Sequence, residues 1–159
     1  MKKIIIAAIF CIVAVSANAQ NYNWAIGVRG GGSDSGVTLK HILSDNNAFE
    51  VNLSYVYPFN NVIRCENLTA LYEWNSPIFS DGFILYYGFG AHLGSATVDK
   101  EGKGRLGRLG AGIDGAIGIE YKLRNAPLAF SLDYRPNMNF LPGFYTFFQN
   151  VGMGIKLCF

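Results

Sequence analysis

The sequence predicts an all-β protein, an eight-stranded antiparallel up-and-down transmembrane β-barrel, and three observations support this fold class. Apolar and polar residues alternate with a period of two along nearly the whole chain, which is the pattern of strands with one apolar face. Only 15% of the 159 residues are charged, against about a quarter in an ordinary soluble domain. Ten of the 19 glycines fall on the polar faces of the predicted strands, where they leave space for larger side chains.

The same composition excludes two other classes of protein. Half of the residues are hydrophobic, which excludes intrinsic disorder, because disorder requires low hydrophobicity and high net charge. A helical membrane protein is also excluded, because a spanning helix needs about 20 consecutive apolar residues and only the N-terminus approaches that length.

The first 19 residues are predicted to be a cleaved secretory signal peptide, 1–19. Lys2 and Lys3 form a basic start, an apolar run follows, and the sequence Ala-Asn-Ala at 17–19 fits a cleavage site. The two lysines supply the whole formal charge of +2, so the mature chain has no net charge and gives no support for nucleic-acid binding. Residues 20–159 are predicted to form one outer-membrane β-barrel domain.

The alternation predicts eight strands, most of which reach the roughly 9 to 11 residues that a tilted membrane-crossing strand needs. The connections 43–47 and 124–127 are predicted to be tight, whereas 96–107 and 137–144 are predicted to be longer loops. Short turns at one end and long loops at the other are typical of outer-membrane barrels, so both termini are expected to be periplasmic. The predicted strands are 22–31, 35–43, 48–57, 62–74, 83–95, 108–123, 127–136 and 145–159.

The polar faces of these strands carry five cations and five anions, and this balance predicts a charged barrel interior. Alternation alone does not distinguish a soluble sandwich, whose polar face meets water, from a membrane barrel, whose polar face lines the interior. The many glycines favour the interior, because a narrow lumen must make room for long side chains. Two interpretations stay open: ion pairs that plug the lumen, or the lining of an ion path. The predicted lumen residues are Arg29, Lys40, Glu50, Glu73, Asp114, Glu120, Lys122, Asp133, Arg135 and Lys156.

Aromatic residues near the ends of the apolar strand faces are expected to form two girdles at the membrane interfaces. The girdle on the short-turn side is predicted to contain Trp24, Trp74, Phe83 and Tyr121, and the girdle on the long-loop side Tyr57, Tyr134, Tyr145 and Phe147.

The C-terminus ends in alternate apolar residues before a final aromatic one, namely Ile155, Leu157 and Phe159. With the alternation over 20–159, the chain resembles the small eight-stranded outer-membrane barrels, those like the OmpA transmembrane domain and OmpX. The resemblance implies an outer-membrane location in a Gram-negative cell and contact with outer-membrane lipid and lipopolysaccharide. It also implies that the three C-terminal residues form the signal that the barrel-assembly machinery binds. No cofactor and no metal site are expected.

Two motifs are candidates for a chemical function. Residues 110–115 match a dinucleotide-binding fingerprint, but they lie inside an alternating strand and do not begin a helix. His92 with Ser95 and Asp114 would form the catalytic set of a lipid A-modifying enzyme. The strand period instead directs His92 into the lumen among glycines, so we expect it to join the interior polar network and expect no enzymatic activity.

The sequence therefore predicts an integral outer-membrane protein with a structural or surface-interaction role and a charge-plugged lumen. A lipid A-modifying enzyme centred on His92 and a narrow channel for small solutes remain as alternatives. Loop 96–107 carries both cations and anions, which contact either lipopolysaccharide phosphates or only water. Loops 96–107 and 137–144 are the candidate contacts for an extracellular ligand.

Overall fold

The fold is given by a computed structural model that describes residues 23–32, 34–57, 62–79, 82–99, 105–141 and 144–159. The predicted signal peptide, 1–19, lies outside these residues. None of the described residues forms a helix long and apolar enough to cross a membrane. The strands within them are β1 (Trp24–Gly31), β2 (Asp34–Ser44), β3 (Asn47–Val56), β4 (Val62–Pro77), β5 (Phe83–Asp99), β6 (Arg105–Lys122), β7 (Leu128–Tyr134), β8 (Asn137–Leu141), β9 (Tyr145–Phe147) and β10 (Val151–Cys158).

Eight strand positions close into a barrel in which all neighbours are antiparallel. β1 pairs with β2 and β10, the strands from β2 to β6 pair in order, and β7 pairs with β6 and β10. β8 continues the line of β7 along β6, and β9 pairs with β8. The predicted fold class, an eight-stranded antiparallel barrel, is confirmed.

The start of the first strand and the end of the last strand lie at the same end of the barrel. Trp24 and Phe159 exchange backbone hydrogen bonds of 3.0 and 2.8 Å, so the first and last strands begin and end side by side. We call this end of the barrel the terminal end and the opposite one the distal end. The connections 45–46 and 123–127 lie at the terminal end, whereas β5 ends at Asp99 and β6 begins at Arg105 at the distal end.

The prediction of a loop at 137–144 is wrong, because residues 137–141 form β8 and extend the seventh barrel strand. β7 and β8 both pair with β6, and only Arg135 and Pro136 interrupt the line. Proline has no N–H to donate to the ladder, so an interruption is expected at Pro136. The proline therefore marks a break within a strand and not the start of a loop.

The predicted last strand, 145–159, is also interrupted, and its pairing register shifts by one residue. Asn137 pairs with Phe147, whereas Tyr134 pairs with Val151, so 148–150 absorbs one extra residue. A one-residue shift exchanges the two faces of a strand. Accordingly Thr146 and Phe148 are exposed while Phe147 is half-buried, and the prediction that Phe147 shares the exposed face of Val151 is wrong.

The predicted contrast between short terminal turns and long distal loops is wrong as well. β5 and β6 stay paired as far as Asp99 and Arg105, so most of the predicted loop 96–107 is strand. Only 100–104 separates the two strands, and the terminal connection 123–127 has the same length. The alternation of apolar and polar residues is weak among the glycines and charges of this hairpin. Antiparallel pairing nevertheless forms there, because it uses backbone groups and needs no apolar face.

Burial in this barrel is the reverse of that in a soluble protein. Among the described residues, 17 polar or charged side chains are buried but only seven hydrophobic ones. The exterior instead carries large apolar side chains, such as Val28 at 59% and Leu93 at 60% exposure. Polar interiors with apolar exteriors are typical of membrane barrels, not of water-soluble domains.

Aromatic rings cluster on the exterior at both ends. At the terminal end Trp24 stacks on His41 with ring centroids 4.0 Å apart, and Phe83 lies 4.5 Å from Tyr121. At the distal end the ring centroids of Phe140 and Phe144 are 6.1 Å apart, and those of Tyr55 and Tyr57 are 6.5 Å apart. Tyr134 pairs with Ile117, well inside β6, so its predicted place in the distal girdle is wrong. The side chain of Tyr145 lies outside the described set.

Candidate functional site

The candidate site is the barrel interior, where charged side chains from seven of the eight strand positions meet. Because successive strand residues alternate between the two faces, every second residue of a strand points inward. Eight of the ten predicted lumen residues are no more than 6% exposed, namely Arg29, Lys40, Glu50, Glu73, Glu120, Asp133, Arg135 and Lys156.

Two lysines connect three glutamates in the terminal half of the interior. The Lys156 ammonium donates hydrogen bonds to Glu50 Oε2 at 2.8 Å and to Glu120 Oε2 at 2.9 Å. The Lys40 ammonium lies 2.9 Å from Glu73 Oε2 and 3.6 Å from Glu120 Oε2. Cations and anions therefore alternate, so each buried charge faces an opposite one.

Two arginines extend this arrangement toward the distal end. Arg135 Nη2 donates to Glu50 Oε1 at 2.7 Å and to Asp133 Oδ2 at 3.1 Å. Arg29 donates to Asp133 Oδ1 from Nη2 at 2.6 Å and from Nε at 2.9 Å, and to Asp34 Oδ1 at 2.7 Å. We call the connected set the interior charge chain. Its members, in order of contact, are Glu73, Lys40, Glu120, Lys156, Glu50, Arg135, Asp133, Arg29 and Asp34.

Tyr86 fills the space between the two halves of the interior charge chain. It is fully buried, and its hydroxyl donates to Asp133 Oδ2 at 3.0 Å. The ammonium groups of Lys40 and Lys156 lie 4.9 and 5.7 Å from its ring centroid, within the range of cation–π attraction. Tyr86 is not among the predicted lumen residues, although the period of two places it on the inward face of β5 with the neighbouring Gly88.

One glycine shows directly how the interior makes room for long side chains. A Cβ atom added to Gly152 would lie 2.5 Å from Arg29 Nη2 and 2.6 Å from its Cζ. Those distances are shorter than any van der Waals contact, so only glycine at this position leaves Arg29 in its place. A Cβ atom added to Gly118 would likewise lie 2.7 Å from Cζ of the Tyr86 ring.

Asp114 and His92 form a separate polar pair in the distal half. His92 is 3% exposed, and its Nδ1 lies 2.7 Å from Asp114 Oδ2 while its Nε2 lies 2.8 Å from Asn139 Oδ1. Ser95 is exposed on the opposite face of β5, so the structure does not bring the catalytic set of His92, Ser95 and Asp114 together. Both ring nitrogens of the histidine face oxygen atoms, which is the arrangement of a satisfied interior histidine.

Lys122 is the predicted lumen residue that the structure leaves nearest to solvent. It is the last residue of β6 and is only half-buried, at the terminal mouth of the barrel. In the part of the chain that the structure describes, no three His, Cys, Asp or Glu residues are placed to hold a metal ion.

The predicted assembly signal lies on the exterior of the strand that closes the barrel. Ile155 is 49% and Phe159 53% exposed, and Leu157 between them is half-buried. β10 pairs with β1 on one side and with β7 on the other. These three side chains therefore form an apolar row that faces away from the interior charge chain.

Comparisons with known proteins bear on the fold. No protein-family model matches the chain, and none of the curated proteins is similar to it in sequence. The crystal structure of the N-terminal β-barrel domain of Pseudomonas aeruginosa OprF superimposes with a TM-score of 0.71 at 12% identity, covering 88% of this chain and 100% of that one. Neisserial surface protein A superimposes with a TM-score of 0.60 at 14% identity, covering 86% and 94%. The chain thus has the fold of small outer-membrane β-barrels.

Proposed function

We propose that the chain is an integral outer-membrane β-barrel protein whose lumen is closed by the interior charge chain. Its role is structural or consists of contacts at the membrane surface, without transport and without catalysis. The observation that carries the proposal is the connected series of ion pairs from Glu73 to Asp34 with Tyr86 in its centre. The interior of an eight-stranded barrel is just wide enough for side chains, so a filled cross-section leaves no room for solutes.

The exterior supports insertion into a membrane. Apolar side chains cover the strand faces between two aromatic ends, and exposing such a surface to water would be unfavourable at about 25 cal/mol per Å². Aromatic rings at both ends of an apolar band are typical of membrane interfaces. From the resemblance to small outer-membrane barrels we infer that both termini face the periplasm, so the distal end is the surface available to lipopolysaccharide or an extracellular ligand.

The two alternatives have less support. An acyl-transfer enzyme needs a nucleophile within hydrogen-bond reach of the histidine, whereas the ring nitrogens of His92 face Asp114 and Asn139. A channel needs a continuous polar path, whereas every member of the interior charge chain faces an opposite charge at close range.

We expect the purified protein to behave as a membrane barrel in gel electrophoresis and fractionation. A sample kept cold in detergent should migrate differently from a boiled one, because a closed barrel has no edge at which the detergent can begin to unfold it. The protein should also remain in the outer-membrane fraction after a urea wash. Identical migration of both samples, with recovery in the soluble periplasm, would instead indicate a water-soluble β-sandwich.

A further inference from the structure

The exterior of the barrel has an apolar groove in its distal half, between β5, β6, β8 and β9. Its volume is about 460 Å³, which lies within the range of ligand sites. Phe89 and Phe148 form two of its walls, at 63% and 60% exposure. The principal lining residues are Phe89, Ile113, Gly115, Pro136, Met138 and Phe148.

The groove results from the two interruptions of the strand pattern. Pro136 breaks the line of β7 and β8, and the register shift at 148–150 directs Phe148 outward. Gly115 contributes no side chain at the floor, where a Cβ would only touch Pro136 Cγ at 3.4 Å. The backbone architecture therefore sets the floor of the groove, while the side chains of Phe89 and Phe148 form its walls.

We propose that this groove binds one acyl chain of a membrane lipid, an inference that rests on the proposed membrane location. Almost all the surface that lines the groove is apolar, and the hydroxyl of Thr146 is its main side-chain polar group other than Asp114 and Asn137. The Asp114 carboxylate is turned away toward His92, at 2.7 Å. A ligand here meets mostly apolar atoms, which matches a hydrocarbon chain.

The position of the groove also favours a lipid over a second copy of the chain. It is continuous with the apolar strand faces, where acyl chains are the surrounding solvent of a membrane barrel. A stable protein interface needs about 800 Å² from each partner. The groove offers instead a concave recess of about 460 Å³ flanked by the exposed rings of Phe89 and Phe148, which suits one flexible chain.

The test is native mass spectrometry of the full chain, refolded into vesicles of phosphatidylethanolamine, phosphatidylglycerol and lipopolysaccharide and then extracted into mild detergent. Gly115→Leu fills the groove, and Gly30→Leu is the matched control, because nothing lies within 4 Å of a Cβ at Gly30 on the exterior of β1. Met138→Trp is a second filling variant if Gly115→Leu does not fold. Cold and boiled gel samples verify that each variant forms the barrel.

We expect the unchanged protein and Gly30→Leu to retain one lipid per barrel. Gly115→Leu should retain at least about tenfold less, since a leucine takes the place of roughly three to four methylene groups of an acyl chain. Loss of all lipid from a folded, inserted protein, or equal retention by Gly115→Leu, would overturn the proposal. If the retained mass equals that of a second copy of the chain, the groove is the interface of a dimer and does not bind a lipid, which overturns the proposal. Failure to insert into vesicles would overturn the proposed function itself, so the two failures are distinguishable.

Discussion

Replacing Lys156 with methionine is expected to destabilise the folded barrel by about 3–5 kcal/mol, the largest effect that the interior contacts predict for a single substitution. The Lys156 side chain is 1% exposed, and its ammonium is shared by Glu50 at 2.8 Å and Glu120 at 2.9 Å. Methionine keeps the length of the side chain but removes the charge, so both carboxylates lose their shared partner. Urea-induced unfolding of the protein in detergent micelles, followed by the fraction of folded protein on cold gels, measures the change.

The matched control is Arg124→Met, which removes a cation from an exposed turn at the terminal end. An exposed charge contributes below about 1 kcal/mol, so this variant should unfold at nearly the unchanged urea concentration. Adding Glu50→Gln and Glu120→Gln to Lys156→Met should recover part of the loss, because the buried carboxylates are then neutral. Equal effects of Lys156→Met and Arg124→Met would show that the Lys156 ion pairs do not stabilise the barrel.

The second large effect is expected for Arg29→Met, at about 3 kcal/mol. Arg29 holds Asp133 and Asp34 together and also donates to Asn150 Oδ1 at 3.1 Å. Asp34 is 9% exposed, whereas Glu50 and Glu120 are 0% and 1% exposed, so the loss should be smaller than for Lys156→Met. The same urea titration measures it.

Gly152 gives this prediction a specific check. Gly152→Ala alone should destabilise the barrel by about 1–3 kcal/mol, because the added methyl group displaces the Arg29 guanidinium. In the Arg29→Met background the same alanine should cost much less, since methionine has no guanidinium to displace. Gly30→Ala, on the open exterior, should be neutral. An additive double-mutant cycle would show that Gly152 does not serve to accommodate Arg29.

The faces of the strands could be predicted from the sequence, but the contacts across the lumen could not. A period of two places Lys156 and Glu50 on inward faces, and both are buried. It does not place them at the same height, because that depends on the stagger of the strands around the barrel. The same limit explains Asp114, which faces inward as predicted but contacts His92 and not the interior charge chain.

The remaining errors come from places where the strand pattern is interrupted. In the sequence Pro136 favours a loop. In the structure the proline lacks one backbone hydrogen-bond donor, but the chain continues beyond it as β8. The register shift at 148–150 moves Phe147 to the other face of its strand, and the local composition of the sequence does not indicate this shift. Asp34 was missed because it stands in a glycine- and serine-rich segment where alternation gives no signal, yet it ends the interior charge chain.

Planar-bilayer conductance of the purified, refolded protein tests the closed lumen most directly. Combined Tyr86→Ala and Arg135→Ala substitutions, which remove the two largest side chains from the centre of the interior, provide the comparison. We expect no stable current above the baseline of the bare membrane for the unchanged protein, and openings only for the double variant. A sustained ohmic current through the unchanged protein would contradict a closed lumen, because an open pore cannot coexist with an interior filled by Tyr86 and the interior charge chain.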